Sequence, residues 1–97
     1  MDKDERAHLD YLYNKNYKHL HPEVRKGVWR DGAGDDHDIE NLDIEHLSNI
    51  HKKLKQERDD VKMNYRGAPE SLKELDSRIF NKMVEIRSEM NDRIKDL

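Results

Sequence analysis

The chain has 97 residues, a net charge of -3, no cysteine and 42% charged side chains. That length makes one small domain, and the absence of cysteine excludes disulfides and thiolate metal centres. Leu, Ile, Val and Phe together number 20, close to the level at which a chain cannot bury enough to order itself, so the case for a folded domain rests on how those residues are spaced.

The opening "MDKDERAHLDYLYNK" has no apolar core of signal-peptide type, and no run approaches membrane length, so a cytoplasmic location is expected. Leu9, Tyr13, Tyr17 and Leu20 recur at helical spacing with Leu12 beside them, which predicts a first helix from about residue 3 to 20, stopped before Pro22. The next stretch is basic, with Lys15, Lys18, Arg25, Lys26 and Arg30 against Glu23 alone. Seven acids then stand unopposed between Asp31 and Glu45. "KGVWRDG" and "HDIEN" predict two short strands around an Asp31–Asp36 turn, with Gly32 and Gly34 permitting positive φ.

Asp43 is a suitable N-cap, and Leu42 and Leu47 stand where a hydrophobic staple places them. Leu47, Ile50, Leu54, Val61 and Tyr65 then share one stripe, with Arg58 in a core slot of the same frame. Gly67 suits the C′ position of that helix and Pro69 the first turn of the next. The last helix carries Leu72, Leu75, Ile79, Met83, Ile86, Met90, Ile94 and Leu97, an eleven-residue repeat that predicts nearly straight packing. The expected fold is mainly α and a single domain over 1–97. An N-terminal helix segment (1–21) leads to an extended or β-hairpin segment (22–42), then to a long antiparallel helical hairpin (43–97). The second long helix outreaches the first, so its apolar overhang at Met90, Ile94 and Leu97 needs cover from the N-terminal elements or another subunit, and a homo-oligomer is expected.

The candidate chemistry narrows quickly. A calcium loop counted from Asp31 would need an oxygen ligand at Ala33, Gly at Asp36 and Glu at Leu42, and fails at each. His19, His21 and His37 with Asp35 or Asp38 lack zinc-site spacing. No nucleophile elbow and no phosphate-cradling glycine loop is present, so neither catalysis nor a cofactor is expected. Tyr11, Tyr13, Tyr17 and Trp29 interleave with the five cations between Lys15 and Arg30. That composition suits stacking on a base and pairing with phosphate, while core packing of the rings is the competing expectation. The acidic block opposes duplex DNA but not a compact nucleotide. His46 and Asn49 lie three apart on one helix face with Lys53 next along, and Arg58 and Arg66 are further anion candidates.

The positions Trp29, Gly34, Ile39, Leu42, His46, Leu47, Asn49 and Ile50 resemble a small phage protein family with a Trp, a Gly-containing turn, an Ile strand and H-L-x-N opening a long helix. The pattern looks like the anti-Thoeris signalling-nucleotide sponges. Ala33 stands where the family pattern leads one to expect Asp, and His37 where it has a strand Ile. The resemblance implies a non-enzymatic oligomer that sequesters a cyclic ADP-ribose-type or cyclic oligonucleotide messenger between subunits, in the cytoplasm of an infected bacterium. It implies Asn49 as a ligand contact. Together with the physical candidates His46, Trp29, Tyr17, Lys26 and Arg66, this makes six expected ligand-binding residues, with a small nucleotide and the chain itself as partners. The alternative expectation is an inhibitor or adaptor that presents the acidic 31–45 surface to a basic host protein.

Overall fold

A computed structural model gives the fold and describes residues 1–63 and 70–95. Helix α1 spans Lys3–Lys15. Asp2 caps it, its Oδ1 accepting the Glu5 N–H at 2.8 Å, while Asp4 and Glu5 in the first turn and Lys15 in the last suit the helix dipole. The helix stops five residues short of the expected end. The Asn16 and Tyr17 N–H groups both donate to the Leu12 carbonyl, at 3.0 and 2.9 Å, and Tyr17 leaves helical geometry at φ -128. A separate 3-10 turn, Lys18–Leu20, then buries His19 and Leu20. The periodic residues enter the core as the spacing predicts, delivered by two elements instead of one.

Strands β1 (Val28–Arg30) and β2 (Asp36–Asp38) pair antiparallel, with Val28 opposite Asp38 and Arg30 opposite Asp36. The second strand is shorter than expected and ends before Ile39. Pairing continues through one more bond, Ile39 N–H to the Gly27 carbonyl at 2.9 Å, after which Ile39–Asn41 coils into a 3-10 turn. Ile39 and Leu42 both enter the core. Residues three apart lie on opposite faces of a strand but on one side of a 3-10 turn, so burying both requires the turn.

Helix α2 (Ile44–Met63) and helix α3 (Glu70–Lys95) form the long hairpin. Their antiparallel sense follows from Arg58 meeting Asp76 and His51 meeting Arg87, both at 3.3 Å. Asp43 caps α2 as expected, its Oδ1 accepting the His46 N–H at 2.7 Å. Leu47, Ile50, Leu54 and Val61 pack against Leu75, Ile79, Met83 and Ile86, joined by Leu9, Tyr13, Leu20, Trp29, Ile39 and Leu42. Arg58 fills its slot by laying its guanidinium 4.7 Å from the Phe80 ring centroid and reaching Asp76. Tyr65, Arg66, Gly67, Pro69 and Leu97 lie outside the described residues.

At about 1.5 Å per residue α2 is roughly 30 Å long and α3 roughly 39 Å, and the overhang is partly covered from within the chain. Arg93 donates to the Glu40 carbonyl at 3.0 Å, tying the Ile39–Asn41 turn to the end of α3. Met90 packs against the core, whereas Ile94 remains 63% exposed. At the other end, the Tyr13 hydroxyl donates to Glu74 at 3.0 Å. Among the described residues no helix is long and apolar enough to cross a membrane.

The β-hairpin is fastened to α3 by one buried cation. The Lys82 ammonium donates to the Val28 carbonyl at 2.9 Å, to Glu85 at 3.0 Å and to the Arg25 carbonyl at 3.3 Å. Glu85 in turn accepts the Gly27 N–H at 2.6 Å. All three ammonium donors are used, which is the condition for burying such a charge. Lys82→Ala leaves Glu85 and two carbonyls without their cation. The expected cost is about 3 kcal/mol, read from urea unfolding, against at most about 0.5 kcal/mol for Lys73→Ala on the exposed side of the same helix.

Candidate binding site

Held by Lys82, the 21–27 segment crosses α3 as a strap with exposed Lys26 on it. Gly27 makes the crossing possible at φ +84, where a side chain would be strained. A groove opens on each side, and Lys26 lines both. The groove toward the N-terminal end of α3 measures about 570 Å³, within the range of small-molecule sites. His21, Val24 and Lys26 form its strap side, with Arg78, Phe80, Asn81 and Val84 on α3. The groove on the other side measures about 360 Å³ and is acidic, with Asp38, Glu40, Glu85, Glu89 and Asp92 against Lys26.

Arg78 is the best-positioned cation of the first groove. Its guanidinium carbon lies 5.4 Å from the Tyr13 ring centroid, and Glu74 stands 3.9 Å from its Nε without a hydrogen bond. That Nε is shielded from solvent and unsatisfied, while the side chain as a whole is partly exposed, so an anion in the groove meets the guanidinium through its exposed part. Burial pushes the Tyr13 hydroxyl's pKa up, outweighing the opposing effect of Arg78, so the ring beneath Arg78 stays neutral.

The six residues expected from sequence are not gathered in one place. Trp29 is 4% exposed and belongs to the core, its ring 4.9 Å from that of His19 and 6.0 Å from the Lys53 ammonium. A base could stack on it only after those neighbours moved. Tyr17 is half-buried against the same core, and its hydroxyl pKa is raised chiefly by burial. His46 and Asn49 are exposed on α2, one helical step from Lys53 and on the same face. Lys26 alone lines the grooves. Arg66 lies outside the described residues. Sequence reasoning missed Arg78, Phe80 and Asn81. The available signal was that Phe80 and Val84 stand off the apolar stripe of α3, where a chain this charged would ordinarily place ions.

The acidic turn is largely self-satisfied. Asp31 Oδ1 accepts the Ala33 and Asp35 N–H groups, both at 2.9 Å, and its Oδ2 meets His37 Nε2 at 2.8 Å. Arg30 binds Asp36 through two bonds, of 2.7 and 3.2 Å. Gly34 at φ +92 closes the turn. His19 is engaged with Glu57 at 2.8 Å, and His21 Nδ1 accepts the Glu23 N–H at 3.1 Å. The histidines considered for zinc therefore serve three separate contacts, and no metal-holding group occurs among the described residues.

These elements define the protein as a helical hairpin braced by a first helix and a small strapped β-hairpin. Comparison with protein-family models, curated proteins and solved structures returns no match.

His37, followed by the Asp35 N–H, holds the Asp31 carboxyl below its ordinary value of 3.8, and Arg30 does the same for Asp36. Both folded values are depressed, so their contribution is complete above the ordinary value and is lost as pH falls from there through the folded values. Carboxyl titration by NMR is expected to give midpoints below 3.8 for both, and His37→Ala should raise chiefly the Asp31 midpoint.

Proposed function

We propose that this protein is a non-enzymatic binding protein that sequesters a small phosphorylated nucleotide in the groove between the 21–27 strap and α3. The observation that carries the reading is Arg78, a partly exposed cation that lines the same groove as Lys26. Arg78 and Lys26 pair the phosphates, Asn81 bonds the base edge, and the Phe80 ring supplies the apolar surface against which the base lies. A groove of about 570 Å³ suits a single nucleotide or a compact cyclic one.

The resemblance of the Trp29–Ile50 pattern to the anti-Thoeris sponges supports the same ligand class. On this reading the chain is a phage-type anti-defence protein that removes a cyclic ADP-ribose-type or cyclic oligonucleotide signal in the cytoplasm of an infected bacterium. It returns the ligand unaltered, and its ligand-free form is a homo-oligomer. The alternative, an adaptor for a basic protein, has a specific observation in its favour. Asp38 and Glu40 from the hairpin side meet Asp92 of α3 in one groove, whereas Asp31 and Asp36 are occupied within the turn.

A thermal-shift screen against cyclic dinucleotides, cyclic ADP-ribose isomers and linear nucleotides tests the proposal. A selective ligand at 100 times its Kd adds about 2.7 kcal/mol of stability. Arg78→Ala is expected to weaken that ligand at least about tenfold, while Asn49→Ala leaves it unchanged. The reverse pattern moves the site to the His46–Asn49–Lys53 face of α2. A screen without any stabilising nucleotide, together with capture of a basic protein lost in Asp38→Asn/Glu40→Gln/Asp92→Asn, replaces the proposal with the adaptor reading.

A further inference from the structure

The outer face of α3 is unlike the rest of the surface. Ser77, Phe80, Asn81, Val84, Ser88 and Asn91 are all exposed, and none is charged, in a chain with 42% charged residues. They recur at helical spacing and share one face over about 21 Å of helix. Phe80 and Val84 remain 44% and 48% exposed at its centre. Arg87, at the margin, turns to His51 of α2. The outer face of α2 is ordinary by comparison, with Glu45, Lys52, Lys53, Lys55, Asp59 and Lys62 all exposed. Depletion of charge around an aromatic and an aliphatic side chain marks the centre of a protein interface, with charged residues confined to its rim.

The rim identifies the occupant. Along the strap side of this face the charge changes sign, with Arg78 toward the N-terminal end of α3 and Glu89 and Asp92 toward the C-terminal end, while Lys26 and Glu85 line both grooves between them. We infer that the face docks a second copy of the same chain, α3 against α3 and antiparallel, about a two-fold axis near Val84. A two-fold axis perpendicular to both helices and lying in the plane between them keeps each flank on its own side while reversing the helix direction. The basic groove of one copy then meets the acidic groove of its partner, twice over. Parallel pairing, whose axis runs along the helices, would instead carry each strap flank to the opposite side and leave the two grooves unmatched.

The pair does not depend on the nucleotide reading, because the α3 face and both its flanks exist without ligand. A phosphate on Arg78 and Lys26 draws on the same cations as the partner's Glu89 and Asp92, so nucleotide and partner compete, and association is measured on the free protein. One helix face is a small interface, which sets the exchange in the concentration-dependent class.

Sedimentation equilibrium of the full chain over a range of concentrations and salt tests the inference. The mass is expected to rise from 11.7 kDa toward twice that value with concentration, and to fall back on adding salt. Val84→Glu, at an exposed position, keeps the helical signal and returns the protein to a monomer. Asp92→Arg alone weakens the pair, and Arg78→Asp in the same chain restores it. A monomer at every concentration overturns the inference, as does a dimer indifferent to Val84→Glu. A double variant no better than Asp92→Arg alone overturns the antiparallel register.

Discussion

The buried ammonium of Lys82 positions the strap and the two grooves beside it. A chain this polar could hold its strands against α3 only weakly through apolar contact, since β2 is exposed throughout its length. The lysine instead supplies directional bonds to Arg25 and Val28, while Glu85 takes the Gly27 N–H. A buried cation contributes little if compared with a well-packed apolar residue, but it tolerates only one arrangement of its acceptors. Here that arrangement sets the height of the strap above the helix, and hence the width of both grooves and the position of Lys26.

The same economy runs through the acidic segment. Its seven carboxylates look like one feature along the chain and divide into several in space. Asp31 organises the turn, Asp36 neutralises Arg30, and Asp43 starts α2. Asp38 and Glu40 alone face the acidic groove. A block of like charge is thus partly consumed by local hydrogen bonding, and the surviving negative surface is completed by Glu89 and Asp92 from a helix about fifty residues away in sequence.

Grooves of opposite sign on either side of one strap give the protein a dipolar face. An anion with a flat ring suits one side, and a cationic surface suits the other. The uncharged ridge of α3 runs beside both. The proposed ligand capture and the inferred self-association would therefore engage neighbouring parts of the same helix, with Arg78 exchanging its electrostatic partner between them.

Periodicity alone determined the helices and most of the core. Leu47 to Val61 and Leu72 to Met90 pack as their spacing requires, because burying an apolar stripe is the only way a chain with so few large apolar residues can order itself. The Asp43 cap and the Gly34 turn were legible for the same local reason, each being satisfied within a few residues. What the tertiary structure decided lies where two distant segments compete for one position. Leu20 reaches the core from a separate 3-10 turn after α1 ends, and Ile39 and Leu42 had to face the same way, so a strand gave place to a 3-10 turn. Trp29 was drawn inside by His19 and α2, while Arg78 and Phe80 acquired a groove only when the strap settled across α3. No local pattern encodes these outcomes, since the partners that produce them lie tens of residues apart along the chain.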